Sequence, residues 1–174
     1  MVPLVEVVGG AKTSPEVIRR AIEFYASIGK KPIHLRKEVV GHVANRLQAA
    51  VYREVVNLIH LGVVDVADAD TAVSWGPGLR WGVMGPSMLF HLAGGEGGIQ
   101  HFMDHLSGPV ASWWKDLGTF TDWPEGSKKT IVEGIEKAAD GRSIDELAQL
   151  RDEVLLKLVQ IRMEQADSVE AHAH

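Results

Sequence analysis

The chain has 174 residues, 45% of them hydrophobic, enough for one compact domain with a real core. Its formal charge is -5 with no lysine or arginine cluster, which argues against nucleic acid and anionic membranes as partners. It contains no cysteine, which excludes a disulfide framework, a thiolate nucleophile and a cysteine metal site; with no signal peptide and no run of roughly 20 apolar residues, it reads as soluble and cytoplasmic.

Residues 4 to 8 are β-branched and apolar apart from Glu6, and Gly9-Gly10 ends the run, so a single short strand is predicted. Thr13-Ser14-Pro15-Glu16 combines a hydroxyl cap, an early-turn proline and a glutamate three residues after Thr13, which predicts a helix over 14–28 stopped by Gly29. Pro32-Ile33-His34-Leu35 is a second, short extended piece. From Gly41 the pattern Val43, Leu47, Ala50, Val51, Val55, Leu58 and Ile59 has helical spacing and closes at Gly62. Asp65 caps a short helix to about Ser74, with Asp68 on its first turn.

A glycine-rich stretch follows, in which Gly76-Pro77-Gly78 and 82–86 break regular structure. Short helices are expected over 87–93 and 98–106, separated by Gly94-Gly95, and another over 110–117. The remaining helices cover 126–139 and 143–164, the latter opened by the capping box Ser143-Ile144-Asp145-Glu146. On this last helix Leu147, Leu150, Val154, Leu155, Leu158 and Ile161 form an apolar stripe, to be buried within the domain or against a second subunit, so a homodimer is expected.

Several signatures in this order resemble a family. Val5-Glu6-Val7-Val8-Gly9-Gly10, Gly41-His42-Val43-Ala44-Asn45-Arg46-Leu47, residues 65–72 and Met84-Gly85-Pro86 are similar to the C-terminal half of 3-hydroxyacyl-CoA dehydrogenases. The resemblance runs from about Val2 to Glu164. Gly78-Leu79-Arg80-Trp81 and His91-Leu92-Ala93-Gly94-Gly95-Glu96 look closest to the L-carnitine dehydrogenase and L-gulonate 3-dehydrogenase (λ-crystallin) branch, which acts on small polar 3-hydroxy substrates, and the family resemblance implies a place in fatty acid metabolism.

The fold implied is all-α, like the C-terminal domain of 6-phosphogluconate dehydrogenase. Residues 1–10 are then a strand left over from a Rossmann domain, 11–165 the helical substrate and dimerisation domain, and 166–174 a disordered tail. Full-length members bind NAD in that Rossmann domain, here a partner in cis or in trans. No Gly-x-Gly-x-x-Gly follows a strand in these residues, so NAD is not expected to bind this chain alone. The family's catalytic histidine would fall before Met1, and the isolated chain is expected to be silent.

The resemblance assigns Glu6 to the carboxylate that orients and supports that histidine, whose imidazole takes the hydroxyl proton while hydride leaves to nicotinamide. On its residues alone, Glu6 reads first as an exposed carboxylate on an edge strand. Asn45 matches the asparagine that contacts the substrate oxygen, an amide able to donate to a developing charge; otherwise it ties down the start of a helix. Arg80 and Trp81 suit a carnitine-like ligand, the guanidinium binding its carboxylate and the indole its quaternary ammonium. The five tryptophans, 75, 81, 113, 114 and 123, lie in one region, where core or interface packing is the simpler role.

His101 and His105 have metal-ligand spacing, with Glu96 and Asp104 nearby, but no motif completes a site, and they read as surface residues. His172-Ala173-His174 is a tail feature. A reading of another class is a stand-alone dimeric binding or assembly module that complements a separate Rossmann partner. If the last helix makes the dimer, Leu155→Glu is expected to give monomer or aggregate in sedimentation, and an unchanged dimer would count against that placement.

Overall fold

The computed structural model describes residues 2–171, and the chain divides after Tyr52 into two compact units. The first holds strand β1 (Leu4–Val8), helix α1 (Pro15–Ser27), strand β2 (Lys31–Leu35) and the opening of helix α2 (Ala44–His60). The strand at the start is therefore not alone. β1 and β2 pair in parallel in the register Leu4 with Lys31 through Val8 with Leu35, with α1 as the crossover that a parallel pair requires. The extended piece around Pro32 reads weakly as a strand because proline removes a ladder donor, a loss tolerated on an edge. Val7 and Leu35 are the residues this small sheet buries.

The start of α1 differs in detail from the expected capping box. Ser14, not Thr13, is the cap and accepts from the Val17 amide, while the Thr13 hydroxyl accepts from the Gly10 amide and closes the turn after β1. Glu16 is drawn into a surface pair with Arg19 instead of reaching back.

The second unit contains the remainder of α2 and helices α3 (Val66–Trp75), α4 (Pro77–Trp81), α5 (Pro86–Ala93), α6 (Gly98–Trp114), α7 (Ser127–Ala139) and α8 (Ile144–Ala171), with a 3₁₀ turn at Gly95–Gly97. Asp65 caps α3 through the Asp68 amide, as its position predicts. Ser143 and Glu146 form the reciprocal capping box that opens α8. This backbone partnership holds the Glu146 carboxyl below its usual range.

Three expectations are corrected. Gly76-Pro77-Gly78 does not simply break the chain: Gly76 ends α3 and Pro77 supplies the first residue of α4, a position where its missing N–H costs nothing. The helices expected over 98–106 and 110–117 are one helix, α6, which runs through Gly108 and Pro109. α8 continues to Ala171, past Glu164, and the rest of the expected tail, including His172 and His174, lies outside the described residues.

The core of this unit is Ile59, Val66 and Ala69, flanked by Val55 and Val64. α7 approaches α3 closely because residue 134 is glycine: a Cβ there would lie 2.3 Å from Val66 Cγ2. At the other end, α5 and α6 form a hairpin in which Phe90 stacks on Phe102 with ring centroids 4.6 Å apart. The apolar stripe of α8 is not buried within the unit, since Leu150, Val154, Leu158 and Ile161 are each more than two fifths exposed.

Val66 is β-branched and 5% exposed, so it cannot swing aside. Gly134→Ala is expected to destabilise the chain by about 1–3 kcal/mol in urea denaturation, and adding Val66→Ala should recover part of that loss.

Candidate functional site

Glu6 sits in the middle of β1, half-buried, and its side chain turns to the start of α2. One carboxylate oxygen, Oε1, accepts from the Val43 amide at 2.7 Å and from the Ala44 amide at 3.2 Å. These are among the first N–H groups of a helix, which have no partner within it, and a negative charge there is favoured by the helix dipole. A residue 37 positions earlier in the chain thus does what a local cap does elsewhere. The turn into it is unusual: Gly41 and His42 both have positive φ, 75° and 49°, and His42 holds that conformation without being glycine. Glu6 is therefore not a free carboxylate on the strand edge.

Its second oxygen, Oε2, makes no hydrogen bond among the described residues. Asn45 is the second residue of α2, exposed, and its amide does not tie down the helix start, a task Glu6 performs. The structure thus brings Glu6 to the backbone one residue before Asn45, inside the first unit.

Arg80 and Trp81 lie in the second unit as the last two residues of α4. Both are exposed, Trp81 by 41%. The Arg80 carbonyl accepts from the Val83 and Met84 amides, which winds the chain into a tight turn after α4. All five tryptophans are more than a third exposed, so none packs in the core of its unit. Lys128 Nζ lies 5.7 Å above the Trp123 ring.

His101 and His105 share a face of α6, with ring centroids 4.2 Å apart. His105 Nδ1 donates to the His101 carbonyl, and Asp104 accepts from Gln100, so the acidic neighbour is engaged within the helix.

Three anchoring side chains lack a strong sequence signal. Glu54 accepts from the Gly118 amide at 2.8 Å, tying α2 to the loop before α7. His91 Nδ1 accepts from the Ile99 amide at 3.0 Å and closes the α5–α6 turn, where a Cβ on Gly98 would meet the imidazole at 2.5 Å. Arg162 of α8 donates through Nη1 to the carbonyls of Gly82 at 2.5 Å and Val83 at 2.6 Å, directly after Arg80 and Trp81. A cleft of about 550 Å³ between α3 and α7 is lined by Val66, Glu133 and Lys137 among others and contains none of the four expected site residues.

The β1–α1 turn does not fit a dinucleotide. The Ser14 hydroxyl and Thr13 already take amides there, Pro15 removes another donor, and no glycine fingerprint leads into α1.

Residues 41–137 match the model of the 3-hydroxyacyl-CoA dehydrogenase C-terminal domain. The chain belongs to this family. Residues 1–39 match the NAD binding domain model of the same NAD-dependent family. A protein named L-carnitine dehydrogenase from Streptomyces griseus is 46% identical over 87% of the chain and 45% of its own length. Another of that name from Bacillus cereus is 42% identical over 92% of the chain and 49% of its own length. Among solved structures, 5-formyl-3-hydroxy-2-methylpyridine 4-carboxylic acid 5-dehydrogenase, described as an NAD⁺ dependent dismutase, superposes with a TM-score of 0.70 at 30% identity, over 92% of the chain and 51% of that protein. The chain spans about half the length of the curated relatives it matches. Among the described residues, no helix is long and apolar enough to cross a membrane.

Removing the Glu6 carboxylate strips two amides of their acceptor, so Glu6→Ala is expected to cost about 1.5–3 kcal/mol in urea denaturation. Glu6→Gln keeps an acceptor oxygen and should recover most of it. Asn45→Ala, which breaks no bond, should leave stability within about 0.5 kcal/mol.

Proposed function

We propose that this chain is the substrate-binding and dimerisation half of an NAD-dependent dehydrogenase acting on a small, carnitine-like 3-hydroxy acid. The single observation that carries the reading is the arrangement at Glu6, where one carboxylate oxygen is fixed by the start of α2 and the other has no hydrogen-bond partner among the described residues. A carboxylate so anchored is preorganised to accept an imidazole N–H, hold the ring in one tautomer and stabilise the imidazolium formed when it takes the hydroxyl proton. Asn45, exposed beside it and unengaged, donates its amide to the oxygen of the reacting carbon. Family membership and the L-carnitine dehydrogenase relatives support the substrate class.

Arg80 and Trp81 take the ends of that substrate, the guanidinium its carboxylate and the indole its trimethylammonium. The NAD site belongs to a Rossmann domain of which β1, α1 and β2 are one part, a reading supported by the match of residues 1–39 to the NAD binding domain model. A two-stranded sheet is marginal alone, which favours its completion by further strands. The uncovered stripe of α8 supports a homodimer built on that helix.

The test is complementation. The 174-residue chain is expected to form no NADH from NAD⁺ with L-carnitine, L-gulonate or a 3-hydroxyacyl-CoA, and to do so with L-carnitine once a separately expressed NAD-binding half is added. In the mixture, Glu6→Gln should lower kcat by about 10²-fold. Turnover by the chain alone overturns the reading, and an inert homodimer that no NAD-binding half activates favours a binding or assembly module.

A further inference from the structure

Arg162 reaches from the middle of α8 to the backbone carbonyls of Gly82 and Val83, 80 and 79 residues earlier. Those carbonyls follow the last turn of α4, where intrahelical donors have run out and a cation is favoured by the dipole. The chain uses the same chemistry locally at the end of α7, where Arg142 donates to the carbonyls of Ala138 and Ala139. The difference is distance in sequence. Arg142 closes its own helix, whereas Arg162 fastens one helix to the turn of another.

The turn it fastens follows a short helix that leans on α3, where a Cβ on Gly78 would lie 2.6 Å from the Val73 carbonyl oxygen. α4 has five residues, buries none of them, and its N-terminus carries no side-chain cap. Gly82, Val83 and Trp81 are all exposed, so packing does not set their position. The Gly82 amide bonds to Gly78 and the Val83 and Met84 amides to Arg80, so the turn's internal geometry is local. Among the described residues, Arg162 is the side chain from another element that bonds to this turn, so the turn's placement against α8 depends on it.

We propose that Arg162 is a positioning residue for substrate binding: by holding the Gly82 and Val83 carbonyls it fixes the orientation of Arg80 and Trp81 and couples that orientation to α8. This rests on the reading of Arg80 and Trp81 as substrate-binding residues. Because α8 also carries the uncovered apolar stripe, the same guanidinium links the state of that face to the substrate end of α4. The bond is to backbone carbonyls, so the identity of residues 82 and 83 does not change it, but the geometry of the donor does. Both carbonyls accept from the single nitrogen Nη1, which the rigid planar guanidinium holds at the end of a long stem, and a lysine ammonium on a shorter, freer stem reaches them less well.

Two measurements on Arg162→Ala and Arg162→Lys test this. In the 174-residue chain, hydrogen exchange at the amides of Gly82, Val83 and Met84 is expected to quicken by about tenfold in Arg162→Ala and by less in Arg162→Lys, while the Ala69 amide at the start of α3 is unchanged. In the mixture with the NAD-binding half, Arg162→Ala should raise KM for L-carnitine by about tenfold with kcat within about twofold, as Arg80→Ala should too. Wild-type exchange in Arg162→Ala overturns the inference. So does a KM that rises with Arg80→Ala but not with Arg162→Ala. If Arg80→Ala itself leaves KM unchanged, or the wild-type mixture turns nothing over, the substrate assignment fails, and the exchange comparison alone upholds or overturns the clamp.

Discussion

The contact between one oxygen of Glu6 and the Val43 and Ala44 amides organises the first unit. It joins the middle of a strand to the start of a long helix, and it satisfies donors that the helix cannot satisfy itself. The approach to it is made by two residues of positive φ, Gly41 and His42, a conformation that is unfavourable at a histidine and is sustained when surrounding bonds over-determine it. Fixing the helix start in this way places Asn45 at the second position of α2 with its amide unspent. The same bond that stabilises the unit also holds the carboxylate and sets its rotamer, while the other oxygen makes no hydrogen bond among the described residues.

The rest of the chain shows how little apolar surface it covers by itself. Its buried apolar residues are few, among them Val56, Ala69 and Phe102, while Val40, Trp75 and Ile144 are each more than three quarters exposed. Apolar exposure of this extent on the last helix, the tryptophans and α1 fits a protein whose faces meet other surfaces. Polar clips hold the parts together in the meantime: Glu54 to the Gly118 amide, His91 to the Ile99 amide, Arg162 to the turn after α4. These bonds go to backbone groups and fix loops and turns, and the glycines at 98 and 134 let the elements come near enough to use them or to pack.

Local chemistry was legible in the sequence where its cause is local. The caps at Asp65 and Ser143 lie where side-chain oxygens precede apolar periodicity, and the helices they open begin there, whereas at α1 the cap moved by one residue from Thr13 to Ser14. The pairing of β1 with β2 was not legible because a parallel pair is decided across a crossover and Pro32 weakens the second strand's signal. Gly108-Pro109 reads as a break, yet α6 continues through it; losing a single ladder bond did not outweigh the packing of its flanks, including Phe102 on Phe90. At the site, Glu6 and Asn45 were singled out by resemblance, but that Glu6 would spend an oxygen on α2 is a tertiary fact that no spacing encodes. Arg162 carried no signal at all, being one cation on a helix with several.

Glu6 and Arg162 are opposite solutions to the same problem. A carboxylate meets the positive end of one helix, and a guanidinium meets the negative end of another, each arriving from a distant part of the chain. Such bonds differ from local caps in consequence. A local cap such as Ser143 stabilises its helix whatever the rest of the molecule does, whereas a distant one forms only when two elements are correctly placed, so it reports and enforces their arrangement. In a chain with so small a core, positional information of this kind has to come from directional polar bonds, because apolar packing tolerates small displacements that a hydrogen bond between fixed partners does not. The residues expected to touch substrate stand beside these two bonds: Asn45 follows the amides that Glu6 holds, and Arg80 and Trp81 precede the carbonyls that Arg162 holds. Each of those three side chains thus has a backbone anchor one or two residues away within its own unit, which is how exposed groups on a small core are kept in a definite geometry.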